Sequence, residues 1–416
     1  MSGSWSVAEH RAWLESLVHP LPAEVVTVGE GGLGRVLAEE VRTVLDTPPF
    51  TNSAMDGFAV RHADLPPDQA EVVLPVVGDA PAGGGGGLRL ADGQAIRIMT
   101  GAPLPDGADT VVVVEQTDHQ PGVVDAPRQV RVRAPWPQPG ANVRQRGEDL
   151  ASGEPLLPAG TVLDAAALSA LVSAGVTQVA LRPRPRVGVV TTGRELLAPG
   201  VDVGPGQVPD SNAVLLAGLV LAAGADLVVQ ARVDDRPEQL TALLNGWPEL
   251  DLVITAGGIS AGAFEVVRQA LAAQVGFHHV AVQPGGPQGA GRLELGGRLV
   301  PVVCLPGNPV SVFVSFHLYG AGLIAMLAGR AASSEPPMVP VVAGEGWQSP
   351  PGKVQVCPVR RVGEQVWPSH RLGSRSHLVA SLPLADGLAV VPAGTGTVSA
   401  GDPLFFIGTR AGRRGW

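Results

Sequence analysis

The chain has 416 residues, 45% of them hydrophobic, and a formal net charge of −9. This length predicts about two to four domains, each able to bury its own core. The net negative charge argues against a broad surface for nucleic acid or for an anionic membrane. Cys304 and Cys357 form no C-x-x-C pair, which favours a reduced, cytoplasmic setting.

The first part of the chain predicts two helices and then a small β domain. Residues 7–44 are expected to form a helix, a turn and a second helix, GRVLAEEVRTVL. Short apolar runs with turn signals between Pro48 and Arg133, such as EVVLPVVG and TVVVVEQ, predict strands. The pattern is helical again around LDAAALSALVSAGV, between Asn142 and Arg182. This last segment could pack on the N-terminal helices as one discontinuous domain.

From Val187 to about Gly329 the pattern changes to alternating strands and helices. Strands such as DLVVQARV and DLVITAGGIS alternate with helical segments, which predicts a mostly parallel sheet with right-handed crossovers. The apolar stretch from Pro309 onward approaches the length of a membrane span. Polar residues interrupt that stretch, which favours a buried core helix. The short strands from Val339 to about Gly408 predict a small β barrel or sandwich.

Loops at the carboxyl ends of the predicted parallel strands carry the candidate site residues, because ligands of open parallel sheets bind at that edge. Glycines there let the backbone approach a ligand, and carboxylates can bind hydrated Mg²⁺. These residues are Glu195 in TTGREL; Asp210, Ser211 and Asn212 in PDSN; Asp234 in VDDR; Gly257, Gly258 and Ser260 in TAGGIS; Glu265 after it; and Pro306, Gly307 and Asn308 in LPGN. Together they predict a pocket for a phosphorylated ligand held with Mg²⁺.

Each of these loops also has a purely structural interpretation. Glu195 could complement a helix dipole in a first turn, and Asp210 could cap the helix that follows it. One of Asp234 and Asp235 could be a helix cap and the other a Mg²⁺ ligand. The chain has no G-x-x-x-x-G-K-[ST] and no G-x-G-x-x-G after a strand, which disfavours P-loop hydrolysis and a dinucleotide oxidoreductase.

Six motifs follow one another along the chain: PPFTNSAMDGFAV, RIMTGAPLPDGADTVV, NVRQRGEDL, TTGREL, TAGGIS and LPGNPVS. In this order they resemble the motifs of the molybdopterin molybdenumtransferases, a family also known from the carboxyl domains of gephyrin and its plant counterpart. The resemblance covers nearly the whole chain. It implies Mg²⁺-dependent insertion of molybdenum from molybdate into adenylylated molybdopterin, with release of AMP, in molybdenum cofactor biosynthesis.

The same resemblance implies a multidomain subunit of the α/β plus β class. Its domains would be an elongated, discontinuous helical/β domain (5–47 and 137–183), a β-rich domain with the Met-Asp-Gly motif (48–136), a central MogA-like, molybdopterin-binding α/β domain with a mostly parallel sheet (184–332) and a small C-terminal β-barrel domain (333–416). It implies a cytoplasmic homodimer whose site is shared between subunits and binds the pterin nucleotide and molybdate. Other cofactor-biosynthesis proteins or molybdoenzymes are possible partners, whereas nucleic acid and membrane are not expected.

Matching positions imply roles for individual residues. The catalytic positions are Asp56, Thr100, Glu195, Asp234 and Glu265, of which Asp234 and Glu265 are the expected Mg²⁺ ligands; the substrate-binding positions are Asp210, Ser211, Asn212, Gly257, Gly258, Ser260, Pro306, Gly307, Asn308, Lys353 and Ser376. Glu265 stands where many members have Asp, which places the carboxylate on a longer arm. Lys353 stands where the family usually has Arg, so the charge remains but the bidentate fork is lost. Ser376 matches a serine associated with the molybdate pocket.

The segment VQPGGPQGAG departs from the family pattern. Many members read K-P-G-K-P where this chain has Gln283 and Gly286. Losing a cationic phosphate contact typically costs about 1.5–3 kcal/mol, and Arg194, where members often have Asp, could restore some positive charge. Two functions therefore stay open: an active insertase, or a divergent paralogue that binds molybdopterin or its adenylylated form as a carrier or partner protein. A nucleotide-pyrophosphate hydrolase is a third, against which the N-terminal motifs argue.

Overall fold

The computed structural model describes residues 4–84, 86–120, 122, 125–260 and 265–409. By their internal contacts they form two compact units. The larger unit contains the residues up to Glu24, Gly34–Ala38 and those from Ala180 onward, and the smaller unit contains Val25–Leu33 and Glu39–Val179. The boundaries of the four predicted domains stay a prediction.

A five-stranded sheet forms the centre of the smaller unit. In spatial order its strands are Thr110–Val113, Gly57–Val60, Ala95–Ile98, Glu71–Ala80 and Gln129–Arg133. The third and fourth strands are parallel, and the other neighbours are antiparallel. Because side chains alternate between the faces of a strand, Phe58 and Val112 pack on one face, and Ala59 and Val111 pack on the other. The β-rich character predicted for this part of the chain is confirmed.

Shorter elements complete the smaller unit. Asn52–Ser53 pairs with Val143–Arg144, and Val41–Arg42 pairs with Pro155–Leu157. Two further strands, Glu24–Thr27 and Gln178–Arg182, each contain a chain boundary between the smaller and the larger unit. The helix predicted around LDAAALSALVSAGV is present as Ala165–Ser173 and begins after Asp164, whose carboxylate accepts the Ala167 N–H at 2.8 Å.

The α-helices of the described residues are α1 (Val7–Glu15), α2 (Ala165–Ser173), α3 (Ser211–Ala222), α4 (Pro237–Asn245), α5 (Val266–Leu271), α6 (Pro309–Ser315) and α7 (Ala321–Leu327). Helix α1 begins with a capping box. The Ser6 hydroxyl accepts the Glu9 N–H at 3.1 Å, and the Glu9 carboxylate accepts the Ser6 N–H at 2.7 Å. The first predicted helix is therefore confirmed, with a defined start.

The second helix predicted within residues 7–44 is wrong. The segment instead contains the strands Val36–Leu37 and Val41–Arg42. The first of these strands pairs antiparallel with Leu181 and Arg182, and both of its side chains are 1% exposed. Strand pairing and the burial of a β-branched side chain outweigh the helical spacing of the sequence here.

A six-stranded sheet organises the larger unit. Its strands in chain order are β1 (Arg186–Thr192), β2 (Asp226–Val233), β3 (Leu252–Ala256), β4 (Val275–His279), β5 (Pro287–Leu295) and β6 (Arg298–Leu305). The spatial order is β2-β1-β3-β6-β5-β4. The first four strands in space are mutually parallel, and β5 and β4 are antiparallel to their neighbours. The prediction of a mostly parallel α/β sheet is confirmed.

The apolar segment predicted as a core helix is a continuous helical run in the larger unit. It consists of α6, a π-helical turn at Phe316–Gly320 and α7. By length and composition alone Pro309–Leu327 could cross a membrane, yet 78% of its most apolar window is buried inside the protein. Phe316, Tyr319 and Ile324 each have at most 1% exposure and pack in the main core cluster.

The C-terminal strands close into a five-stranded barrel. In order around it they are Val354–Val362, Gln365–Pro368, Val339–Ala343, Pro403–Gly408 and Gly387–Val391, which pairs again with the first. Separate short pairs are Trp347–Gln348 with Thr397–Val398 and Leu196–Leu197 with Val208–Pro209, and Val282–Gln283 pairs with Val354 and Gln355. The predicted C-terminal β barrel is confirmed.

Candidate active site

A cavity of about 710 Å³ lies at the carboxyl ends of the parallel strands of the larger unit. Thr192 ends β1, Gly257 and Gly258 follow β3, and Gly307 follows β6, and all of them line the cavity. Parallel strands bring their carboxyl ends to one edge of the sheet, where the loops meet around a ligand. The predicted position of the site at this edge therefore matches the cavity.

Glycines allow two of these loops to touch. Gly257 has φ of +94° and Gly258 has φ of +67°, in the left-handed region where side chains are strained. The Gly257 N–H donates to Leu305 O at 3.1 Å. A Cβ at Gly307 would lie 3.4 Å from the Gly257 Cα. The loops after β3 and β6 thus form one continuous backbone wall.

The start of α3 forms a second wall. Ser211 and Asn212 line the cavity, and the Asn212 side-chain amide donates to Gly307 O at 2.6 Å. Asp210 is 4% exposed, accepts the Thr191 hydroxyl at 2.5 Å and the Ala213 N–H at 3.1 Å, and is not among the cavity-lining residues. The structure therefore places Asp210 as the helix cap, which was the alternative to a direct substrate contact.

Two carboxylates face the cavity. Glu195 lies against Gly193, where an added Cβ would be 2.6 Å from Glu195 Oε2, and Glu265 Oε2 accepts the Ser260 N–H at 2.7 Å. Ser260 also lines the cavity, whereas Ala261–Phe264, between Ser260 and Glu265, lie outside the described residues. Mg²⁺ prefers one or two carboxylates together with phosphate oxygens and water, so these two side chains fit such an ion.

Asp234, the other predicted Mg²⁺ ligand, is placed elsewhere. Its carboxylate forms an ion pair with Arg236 at 2.8 Å, and it does not line the cavity. Asp234 follows β2, which is the edge strand of the sheet. Over the described part of the chain, no group of three or more His, Cys, Asp or Glu side chains could hold a metal ion. A metal in this cavity would depend on Glu195 and Glu265, completed by ligand oxygens.

A segment near the C-terminus supplies a third wall. Ser376 lines the cavity, its hydroxyl accepts the Asn308 side-chain amide at 3.2 Å, and its carbonyl accepts the Val310 N–H at 3.2 Å. Pro306 lines the cavity beside Asn308. Lys353 does not line it. Of the two predicted residues beyond residue 350, the structure therefore brings only Ser376 to the site.

Thr192 is a cavity residue that the sequence prediction missed. It is 6% exposed, and its Oγ1 has no hydrogen-bond partner within the part of the chain that the structure describes. Asn212 Oδ1, also in a side chain with 6% exposure, is likewise unpartnered there. Buried polar atoms usually have partners, and both of these oxygens are themselves almost fully buried, so either would need a small side-chain shift to accept a hydrogen bond from a ligand. The signal for Thr192 was its place at the end of a strand, directly before Gly193.

The cavity has few cationic groups. Among its described lining residues His377 is the one basic side chain, beside Glu195 and Glu265. Gln283 lines the cavity, but Gly286 does not. An anionic ligand must therefore be bound by backbone N–H groups, hydroxyls and amides, and by any metal ion that the two carboxylates hold.

Asp56 and Thr100 belong to the smaller unit, where they contact each other. The Thr100 N–H donates to Asp56 Oδ1 at 2.7 Å, and the Thr100 hydroxyl donates to the same oxygen at 2.8 Å. These hydrogen bonds, first that of the N–H and then that of the hydroxyl, lower the pKa of Asp56 below its ordinary value. The family motifs in the sequence implied that both residues are catalytic. The structure shows that they are hydrogen-bonded to each other, and their catalytic role stays a prediction.

Comparison with known proteins identifies the class of protein that has this fold and cavity. Three family models match: "MoeA N-terminal region (domain I and II)" over residues 5–175, "Probable molybdopterin binding domain" over 188–325, and "MoeA C-terminal region (domain IV)" over 340–407. These models span most of the chain and define a multidomain protein of molybdopterin biosynthesis.

Relatives and solved structures agree with this class. Molybdopterin molybdenumtransferase 2 of Mycobacterium tuberculosis is 37% identical over 96% of this chain and 98% of its own length. The molybdopterin molybdenumtransferase of a Nostoc species is 35% identical over 90% and 86%. The crystal structure of a molybdopterin biosynthesis MoeA protein from Pyrococcus horikoshii superposes with a TM-score of 0.78 at 26% identity, over 98% of this chain and all of that one. The chain belongs to the molybdopterin molybdenumtransferase family, a family of transferases.

Proposed function

We propose that the protein inserts molybdenum from molybdate into adenylylated molybdopterin and releases AMP, with Mg²⁺ as cofactor. The observation that carries the proposal is the cavity of about 710 Å³, in which glycine loops, two asparagines and two carboxylates meet. Cavities of roughly 300–1,000 Å³ are typical of small-molecule sites. Membership of the transferase family supplies the reaction class.

The residues around the cavity have separate roles in this proposal. The backbone wall at Gly257, Gly258 and Gly307 admits phosphate oxygens close to main-chain N–H groups. After a small shift of either side chain, the buried, unpartnered oxygens of Thr192 and Asn212 would accept hydrogen bonds from substrate N–H or O–H groups. These contacts orient the substrate and need no cationic side chain.

Mg²⁺ fits the two carboxylates. Glu195 and Glu265 would hold the ion, which neutralises phosphate oxygens when bound. The Ser260 N–H already bonds to Glu265 Oε2 at 2.7 Å, so one carboxylate oxygen is oriented before the ion arrives. The absence of Lys and Arg from the described lining residues supports this role, because the carboxylates alone would repel an anionic substrate.

We also propose that the protein is a cytoplasmic homodimer, with the loop that contains Asp56 in one subunit completing the cavity of the other. The Asp56–Thr100 pair supports a role for this loop, because its remaining carboxylate oxygen forms no hydrogen bond within the described residues. Light scattering on the purified protein tests the assembly. A mass of about twice that of the 42.5 kDa chain is expected, and a monomer would contradict it.

A non-inserting protein that binds molybdopterin or its adenylylated form as a carrier is the second candidate. The scarcity of cationic groups in the cavity favours it, because each lost charged contact to an oxyanion costs about 1.5–3 kcal/mol. The two functions differ in one result. A carrier binds the pterin nucleotide and gives no AMP when molybdate is added.

AMP release with and without molybdate, at saturating Mg²⁺, tests the proposal. Glu265→Gln removes a cavity charge and should slow molybdate-dependent AMP release by about tenfold or more. Glu294→Gln, the same change at an exposed position of β5 outside the cavity, should leave the rate unchanged. The insertase proposal fails if the native protein binds the pterin nucleotide but releases no AMP on addition of molybdate.

A further inference from the structure

The wall of the cavity that contains Gln283 belongs to a short loop, residues 279–287. Gln283, Pro284, Gly285 and Pro287 of this loop line the cavity. The loop is closed on itself by a hydrogen bond from the Val280 N–H to Gly286 O at 2.8 Å. Its position therefore depends on what holds the backbone on either side of Val280.

Trp5, before helix α1, bonds to this loop on both sides of Val280. The Trp5 N–H donates to His279 O at 2.9 Å, and the Ala281 N–H donates to Trp5 O at 2.7 Å. The two bonds form a parallel bridge between Trp5 and Val280. On the opposite side, the Val354 N–H donates to Ala281 O at 2.9 Å. Residues 279–281 are thus held between the N-terminal segment and the C-terminal barrel.

The Trp5 side chain fixes the same contact. Its indole stacks on the His278 ring with 3.9 Å between centroids and an angle of 16° between planes. Trp13 of α1 meets Trp5 edge-on at 5.6 Å and His278 at 4.9 Å. Both tryptophans pack against the main core cluster. Trp5 therefore joins the capped start of α1 to His278, the residue before the loop.

The other end of the loop is fixed independently. The Gln288 side-chain amide donates to Gly285 O at 2.7 Å and to Ser315 Oγ at 2.7 Å, and Gln288 is 1% exposed. A Cβ at Gly286 would lie 2.6 Å from the His279 ring, so this ring covers the loop at the position where glycine makes room for it. Loss of the Trp5 side chain would loosen residues 278–281, which lead into Gln283. Gln283 keeps its own pairing with Gln355 of the barrel, and the second half of the loop stays in place.

We infer that Trp5 is a positioning residue for the cavity, acting through residues 279–281 to hold Gln283 at the wall. The effect of this role on substrate rests on the proposed function, because it is measured with the pterin nucleotide. Held in place, the wall presents Gln283 at a fixed distance from a bound substrate. Without the Trp5 contact, this wall must be ordered again each time substrate binds. The cost of ordering weakens substrate binding more than it slows the reaction of bound substrate.

The experiment compares Trp5→Ala, Trp5→Phe and the matched control Trp247→Ala. Trp247 is in the larger unit and packs in a different core cluster. In steady-state AMP release, Trp5→Ala should raise KM for the pterin nucleotide about tenfold and change kcat little. This effect is smaller than the roughly hundredfold loss of activity that a misplacement of about 1 Å can cause. Trp5→Phe keeps an aromatic ring that can stack on His278 and should restore KM, whereas the backbone bonds of residue 5 are present in every variant. Trp247→Ala should lower Tm without changing KM.

Hydrogen exchange of the amides of Val280 and Ala281 in the free protein gives an independent measurement. Both amides should exchange faster in Trp5→Ala and at the native rate in Trp247→Ala. Trp5→Leu, which keeps apolar volume without the stack, carries the same expectation if Trp5→Ala does not fold. Native KM and native exchange in Trp5→Ala and Trp5→Leu, or an equal rise of KM in Trp247→Ala, would overturn the inference. Failure of the native protein to release AMP would refute the proposed function instead, and the exchange rates would still decide the role of Trp5.

Discussion

Replacing Gly257 by alanine should destabilise the protein and impair the cavity together. Gly257 has φ of +94°, a conformation that costs an L-residue about 1–2 kcal/mol. A Cβ there would also lie 2.7 Å from Thr192 O, a backbone atom that cannot rotate away. Overpacking of this kind adds about 1–3 kcal/mol. The free energy of unfolding should therefore fall by about 2–5 kcal/mol.

Gly218→Ala is the matched control for this change. Gly218 lies within α3, and a Cβ there meets no atom within 4 Å. Alanine in a helix interior is more stable than glycine by about 0.5–1 kcal/mol, so the control should have the opposite sign. Chemical denaturation gives the two free energies, and calorimetric titration with adenylylated molybdopterin gives the two affinities.

The two variants should also differ in binding. Gly257→Ala should bind the pterin nucleotide about tenfold or more weakly, because the backbone wall between the loops after β3 and β6 must shift. Gly218→Ala should bind as the native protein does. Native stability in Gly257→Ala, or native affinity despite the loss of stability, would refute the assignment of these glycine loops as the substrate wall.

Two other variants follow from buried and crowded side chains. Burial first, and the charge of His278 second, lower the pKa of His10 from 6.5 to about 3. The unfolded chain therefore binds a proton at this histidine more readily than the folded protein does. The stability that neutral His10 contributes is complete above about pH 6.5 and falls with decreasing pH, by about 2 kcal/mol at pH 5. His10→Leu should therefore show a smaller fall in Tm between about pH 8 and pH 5, and an unchanged fall would contradict the burial argument. At Gly286 an added Cβ would lie 2.6 Å from the ring of His279, an exposed side chain that can rotate. Gly286→Lys and Gly286→Ala should lower Tm by the same amount. Only Gly286→Lys should bind the pterin nucleotide more tightly, and its affinity should depend more steeply on salt. Equal affinities of the two variants would show that the added charge does not reach the site.

The sequence predicted the position of the cavity well, because its signals are local. A strand followed by Gly257 and Gly258, and another followed by Pro306 and Gly307, can be recognised without tertiary information. Their direct contact could not be predicted, since it depends on which strands are neighbours. The order β2-β1-β3-β6 brings the ends of β3 and β6 together.

Strand order also explains the placement of Asp234. In chain order β2 stands between β1 and β3. The loop after β2 contains Asp234, just as the loop after β1 contains Glu195, so the sequence places the two carboxylates in equivalent loops. In space β2 is at the edge of the sheet, beyond β1. Its loop therefore lies away from β6, and the carboxylate pairs with Arg236. A pattern of strands and helices in one sequence does not contain this order.

The wrong helix shows the other limit of sequence reasoning. GRVLAEEVRTVL has apolar residues at helical spacing, but Val36 and Leu37 are buried in a ladder with residues more than a hundred positions later in the chain. Long-range pairing of this kind outweighs local spacing. Thr192 was missed for the opposite reason. Its position was visible, but only the structure shows that its hydroxyl is buried without a partner in the described residues.

The fate of the pterin itself distinguishes an insertase from a protein that only binds the precursor. Purified protein is mixed with adenylylated molybdopterin and Mg²⁺, molybdate is added, and the pterin and AMP are quantified by mass spectrometry. We expect a molybdenum-containing pterin and an equal amount of AMP, formed only when molybdate is present. Pterin nucleotide that stays bound and unchanged after molybdate is added would contradict it and would establish a protein that binds the precursor without inserting the metal.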